Sequence, residues 1–177
     1  TGHNPDNAAI AITRGLLKIL DKSELKGVLA HELAHIINRD ILISTISAVF
    51  AAAITSIAYM AMFLGSRGVG RPAHPVFSLL IIFLAPLAAS VIQMAVSRSR
   101  EFEADRVGGI ISENPAALAS ALNKIEKNAK NGSFKKLEKH PETAQMMIIP
   151  SLSKERFSNL FSTHPSTEER IFRLKKL

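Results

Sequence analysis

Two stretches of this chain run without charge for longer than a soluble helix normally allows. Ile41 to Leu64 is 24 residues, ILISTISAVFAAAITSIAYMAMFL, and Val76 to Val96 is 21, VFSLLIIFLAPLAASVIQMAV. About 20 apolar residues, at a helical rise of about 1.5 Å each, cross the hydrocarbon core of a bilayer, so both are long enough. A pair of buried core helices is the competing reading. It is disfavoured because a soluble helix of this length keeps a charged face toward water. Pro86 fits a spanning helix, where neighbouring groups re-satisfy the carbonyl it frees. The intervening GSRGVGRPAH, Gly65 to His74, is a Gly/Pro-rich turn, so the two stretches predict a membrane hairpin.

Charge orients that hairpin. The turn carries Arg67 and Arg71, whereas the outer flanks carry Lys22, Lys26 and Arg39 on one side and Arg98, Arg100 and Arg106 on the other. The positive-inside rule places both outer flanks in the cytoplasm. The net charge of +7 suits an anionic membrane face. It does not indicate nucleic acid, because no aromatic interleaving and no groove-reading motif accompany it. Cys is absent, which excludes disulfides, thiolate metal ligands and a thiol nucleophile. The chain opens on Thr1 without a signal-peptide pattern, and reads as part of a longer protein with its upstream portion missing.

Outside the hairpin, AAIAIT (Ala8 to Thr13) predicts a short strand. Asp21 to Asp40 predicts a helix, with Asp21 as N-cap and Glu24 at capping-box spacing. A charged helix begins at Ser97, a second follows Asn114-Pro115, and a last one follows Ser166-Thr167. Lys124 to Lys139 reads as a solvated helix end and linker.

Within the first soluble helix stands His31-Glu32-Leu33-Ala34-His35, an HExxH pattern. Residues i and i+4 share a helix face, so both imidazoles can bind one metal ion, and Glu32, about 100° around the axis, can reach a water beside it. The motif sits in VLAHELAHII, an apolar segment in which two His and a Glu are costly unless they share a purpose. A catalytic zinc needs a third protein ligand and an open position. Without Cys, the candidates are carboxylates and the other histidines. His35 lies six residues before Ile41, and a hairpin returns the chain to the same level at Val96, so the residue at matching depth is Glu101 or Phe102. Glu101 is the expected third ligand. Asp105, one turn on, shares its face and is placed to orient a ligand imidazole. Glu103 is expected to face away.

These motifs together resemble a known family. HELAH, two spans, SRSREFEAD (Ser97 to Asp105) and STHPSTEERIFRL (Ser162 to Leu174), in that order, are similar to the HtpX branch of the M48 zinc metalloproteases. TGHNPDNAAIAITRGLL (Thr1 to Leu17) resembles its strand and loop before the motif. The resemblance implies a multi-pass inner-membrane zinc endopeptidase with a cytoplasmic active site, hydrolysing misfolded or damaged membrane proteins. It implies one Zn²⁺ per chain on His31, His35 and Glu101, Glu32 as general base and Asp105 behind the ligands. His164 matches a residue that approaches the substrate oxyanion, and Arg170 matches a structural arginine. Gln145 departs from the family pattern and is left out of the site. The implied fold is mainly α with a small β-sheet, a zincin-like catalytic domain divided between residues 1–40 and 97–177 by the transmembrane hairpin at 41–96. Two other readings stand beside it: a prenylated-protein (CAAX-type) endopeptidase of the same family, and a non-catalytic membrane chaperone with structural zinc.

Overall fold

The computed structural model describes residues 2–66, 75–130 and 165–177. The described chain is mostly helical. In order it runs β1 (Gly2–Asn4), β2 (Asn7–Ala8), α1 (Arg14–Ile19), α2 (Lys22–Ile37), α3 (Asp40–Ser66), α4 (Pro75–Ser112), α5 (Pro115–Lys130) and α6 (Thr167–Leu174).

Each shorter helix starts where its sequence supplies a cap. Asp21 accepts from the Ser23 and Glu24 amides while the Glu24 side chain accepts from the Asp21 amide, a complete capping box on α2. Asn114 Oδ1 accepts from the Ala117 amide at the start of α5, and Ser166 caps α6 through the Glu169 amide.

The membrane-type helices are longer than the apolar runs that predict them. α3 spans 27 residues. α4 spans 38 as one helix that passes Pro86 and continues into the charged segment after Val96. Both are long and apolar enough to cross a membrane, and only 6% of each apolar window is buried inside the protein. That exposure separates them from core helices: their side chains are left for lipid or for other spans. They pack antiparallel, with Ala51 on α3 and Ala89 and Met94 on α4 buried. A cavity of about 450 Å³ lies between them, lined by Ser47, Gln93 and Ser97 among others.

The compact core lies elsewhere, where α1, α2, α5 and α6 meet. Leu20, Val28, Leu118, Leu122, Ile125 and Leu174 form its cluster. Gly27 lets α2 and α5 close up, because a Cβ there would stand 3.1 Å from Leu118 Cα.

Two expectations are corrected. The AAIAIT strand is absent: β2 ends at Ala8, residues 9–13 are irregular, and the sheet is a two-stranded antiparallel hairpin. A β-branched run needs a partner strand to form one, and only Ala8 of this run pairs, with Gly2 across the hairpin. Arg14–Ile19 forms a short helix, capped by the Thr13 hydroxyl. Lys124 to Lys130 is the expected helix end, the last turns of α5, where Ile125 is buried and Lys124 pairs with Glu24; the rest of the stretch read as linker lies outside the described residues.

Candidate metal centre

The buried face of α2 runs through Glu24, Gly27, Val28, Ala30, His31 and Ala34. These positions recur at helical spacing, so the face that packs the core also carries His31 inward. One turn on, His35 reaches the edge of that face: its side chain is 25% exposed, against 3% for His31. The pair therefore has one closed side and one open side.

Both imidazoles turn Nε2 toward a common point, and the two nitrogens stand 3.1 Å apart. Glu101, delivered by α4, brings Oε2 to 3.7 Å from His31 Nε2 and Oε1 to 3.9 Å from His35 Nε2. The three donor groups lie within 4.8 Å of one another. Two Zn–N bonds of about 2.0–2.1 Å at a tetrahedral angle separate their nitrogens by about 3.3 Å, so the donor set fits zinc with little movement. Two facing lone-pair nitrogens beside a carboxylate also need a cation or protons between them, which is the chemistry a divalent ion would satisfy.

The other ring nitrogens face carboxylates. His31 Nδ1 lies 3.0 Å from Asp105 Oδ1, and His35 Nδ1 lies 2.5 Å from Asp40 Oδ2. The His35–Asp40 hydrogen bond fixes the tautomer that presents Nε2 of His35 to a metal, and Asp105 lies close behind His31 as an ionic neighbour. Burial works against the charged form of His35. The Asp40 hydrogen bond and the charges of Glu101, Asp40 and Glu32 outweigh it, and hold its pKa above the ordinary imidazole value. Glu32 is half-buried, close enough for its charge to act on His35.

Arg170 reaches this cluster from α6. Its Nε and Nη2 donate to Asp105 at 2.7 and 2.8 Å, and its Nη1 stands 3.4 Å from Glu101 Oε2. A buried bidentate Arg–carboxylate pair is rigid and directional. It fastens the C-terminal helix to the same two carboxylates that face the histidines. Gly108 makes the approach of α4 possible: a Cβ there would lie 2.8 Å from His31 Cα and N. α4 can therefore lie directly on the backbone of α2, with Glu101 and Asp105 both within reach.

The structure thus brings His31, His35, Glu101 and Asp105 together. It turns Glu103 outward to Arg106, at 2.6 Å on the surface. His164 and Gln145 lie outside the described residues. Sequence reading missed the contacts of Asp40, Gly108 and Arg170's reach into the cluster. Arg170 carried a signal in its motif; the other two depend on how helices meet.

An HExxH helix joined by a carboxylate from the far side of a two-helix membrane-type hairpin defines a class of metal centre associated with peptidases. The chain belongs to peptidase family M48, whose model matches residues 1–177. It is 59% identical over 175 residues to a protease HtpX homolog of Methylibium petroleiphilum, covering 98% of this chain and 62% of that protein. It is 56% identical over 178 residues to the Burkholderia thailandensis protease HtpX homolog, covering 100% of this chain and 62% of the relative. Against the Burkholderia mallei homolog the identity is 57% over 175 residues, covering 98% and 61%. The chain spans about three-fifths of the length of these relatives. No solved structure matches it.

Proposed function

We propose that this chain carries the zincin-like catalytic centre of a membrane-embedded zinc endopeptidase, which hydrolyses polypeptides brought to the cytoplasmic membrane surface. The single observation that carries the proposal is the convergence of His31 Nε2, His35 Nε2 and a Glu101 oxygen on one point that is open beside His35. The HtpX names of its relatives support the protease reading, and two membrane-type helices beside the site support action at a bilayer.

Bound at that point, zinc supplies Lewis-acid polarisation of the scissile carbonyl and acidification of water. His31 and His35 hold their Nε2 atoms toward it, with Asp105 and Asp40 behind them. Glu32 accepts a proton from the attacking water and delivers it to the leaving amine. His164, through the family motif it shares, is assigned to the substrate oxyanion. Asp105 and Arg170 hold Glu101 and His31 in place. Charge on the outer flanks of the hairpin favours a cytoplasmic site. Misfolded or damaged membrane proteins are the substrates that suit a centre at this level.

A structural-zinc chaperone has no use for a carboxylate beside the metal or for a ligand with an open edge. The test is zinc content and proteolysis of casein or a membrane-protein substrate, measured on wild type and Glu32→Gln. We expect Glu32→Gln to keep zinc and lose proteolysis. Loss of zinc in Glu32→Gln, or proteolysis equal to wild type, overturns the assignment.

A further inference from the structure

Asp40 is five residues beyond His35. On a continuous helix those two side chains would point about 140° apart and could not touch. They touch because the helix is broken between them. α2 ends at Ile37 and α3 begins at Asp40, and Arg39, a non-glycine residue, holds φ at 55°. That left-handed conformation is disfavoured for an L-residue with a side chain, and it persists only where the surroundings fix it. Its effect is to fold the first residue of α3 back over the last turn of α2. The Asp40 carboxylate then meets His35 Nδ1 at 2.5 Å, with the residue only 5% exposed.

Asp40 is itself fastened from the second helix. Arg100 Nη1 donates to the Asp40 carbonyl at 2.6 Å and also to the Ser44 hydroxyl. Ser44 Oγ in turn donates to the same Asp40 carbonyl at 2.9 Å. The next residue after Arg100 is Glu101. One position on α4 therefore holds the carboxylate partner of His35, and its neighbour presents the carboxylate that faces both histidines.

We propose that Asp40 is a positioning residue of the metal centre. It fixes the tautomer and ring orientation of His35, and Arg100 holds it there, so the contact between the cytoplasmic ends of α3 and α4 sets the geometry around His35. Asp105 and Asp40 then form a matched pair, each behind one imidazole, but from different helices. Asp105 sits inside the rigid α4–α6 junction. Asp40 sits at the entrance to a membrane-type helix, and its contact with His35 depends on that helix staying packed against α4. The inference rests on the metal-centre reading above.

A purely structural role is the rival: an acid at the first position of a helix interacts well with the helix dipole whatever it faces. The two roles separate in metal affinity. Zinc affinity is measured on the full protein in detergent by competition with a chromophoric chelator, and coordination geometry by the visible absorption of the cobalt-substituted protein. Asp40→Ala is expected to weaken zinc by roughly 10- to 100-fold and to alter the cobalt spectrum. Asp40→Asn keeps a helix-start acceptor but loses the charge, and is expected to weaken zinc less while still falling measurably below wild type. Arg100→Gln is expected to fall between Asp40→Asn and wild type. Far-ultraviolet circular dichroism of the zinc-free proteins checks folding. If Asp40→Ala fails to fold, Asp40→Asn decides. Wild-type affinity with an unchanged cobalt spectrum in the folded Asp40 variants overturns the proposal, and wild-type affinity in Arg100→Gln overturns the fastening. A wild-type protein that binds no zinc would instead overturn the metal-centre reading itself.

Discussion

Helix α2 buries a carboxylate near its start and an imidazole two turns later, and the two are satisfied in opposite ways. Glu24 is 3% exposed. Its oxygens accept from the Asp21 amide at 3.0 Å, the Ser120 hydroxyl at 2.7 Å and the Lys124 ammonium at 2.7 Å. Each of these three partners is a donor, so the network closes within the protein and explains itself as folding. His31 is equally buried, at 2%. Its Nε2 faces another imidazole Nε2 at 3.1 Å and a carboxylate at 3.7 Å. Arg170 Nη2, at 3.4 Å, is the one cationic neighbour close to that nitrogen among the described residues. Burial of charge alone therefore says little about function. What marks the second site is the convergence of two imidazole nitrogens and a carboxylate on one point, a donor set that could hold a metal ion.

The largest expected effect comes from removing one acceptor of the open site. Glu101→Ala leaves two imidazoles without their carboxylate, and zinc per chain, measured after dialysis against buffer, should fall sharply together with activity. Glu24→Gln, cut from the closed site, should keep zinc near one per chain. Equal loss of zinc in both variants would break the distinction between the two networks.

The two glycines on these helix faces sharpen it further. Gly108→Ala places a Cβ 2.8 Å from the His31 backbone, where nothing flexible can yield. α4 must then move off α2, carrying Glu101 and Asp105 with it. The expected cost is about 1–3 kcal/mol of stability, with clearly weaker zinc binding by chelator competition. Gly27→Ala meets Leu118 at 3.1 Å, beside the Glu24 network. It should lower the melting temperature while leaving zinc affinity close to wild type. Zinc loss in Gly27→Ala alone would reverse the assignment of roles to the two faces.

Much of the open site is legible in the amino-acid sequence, and the reason is periodicity. His31 and His35 are one turn apart, and so are Glu101 and Asp105. The depth of each pair relative to the apolar runs is a count of residues along a hairpin. The capping box of α2 and the Asn114 and Ser166 caps are equally local. Asp40, Gly108 and the inward reach of Arg170 are not legible in that way. Asp40 reaches His35 through a backbone break at Arg39, which no hydrophobic period announces. Gly108 matters only once α4 is known to cross α2 at His31. The AAIAIT run misleads for the complementary reason: its residues favour a strand, but a strand forms only with a partner.

Glu24 also separates the networks by pH. Burial pushes its pKa up, but the Lys124 ion pair and the Asp21 and Ser120 hydrogen bonds outweigh this and hold it below the usual glutamate range. A carboxyl whose folded pKa is depressed contributes stability above its unfolded pKa, about 4.3, and loses it as pH falls through the folded value. Glu24→Gln should therefore destabilise the protein by about 1–3 kcal/mol near neutrality. The difference in melting temperature from wild type should stay level down to about pH 5 and shrink in more acid solution. A difference that instead grows on acidification would mean that Glu24 is not ionised in the folded protein.

The smallest effect belongs to Glu103, which tests whether proximity in sequence to the metal centre matters without orientation. It lies between Glu101 and Asp105, yet its side chain is 48% exposed and pairs with Arg106 at 2.6 Å. Two residues along a helix is about 200° of rotation, so the carboxylate that follows Glu101 by two is turned from α2 toward solvent. The Arg106 pair lowers the pKa of Glu103 against a smaller opposing effect of burial. Exposed ion pairs of this kind contribute under about 1 kcal/mol and weaken with salt. Glu103→Ala should leave zinc stoichiometry and activity at wild-type level. Any small drop in melting temperature should vanish in high salt. If Glu103→Ala lost the metal while Glu101→Ala kept it, α4 would have to be rotated by about half a turn. Asp105, His31 and Arg170 could then not meet as they do, and the contrast between the closed and the open network would collapse with them.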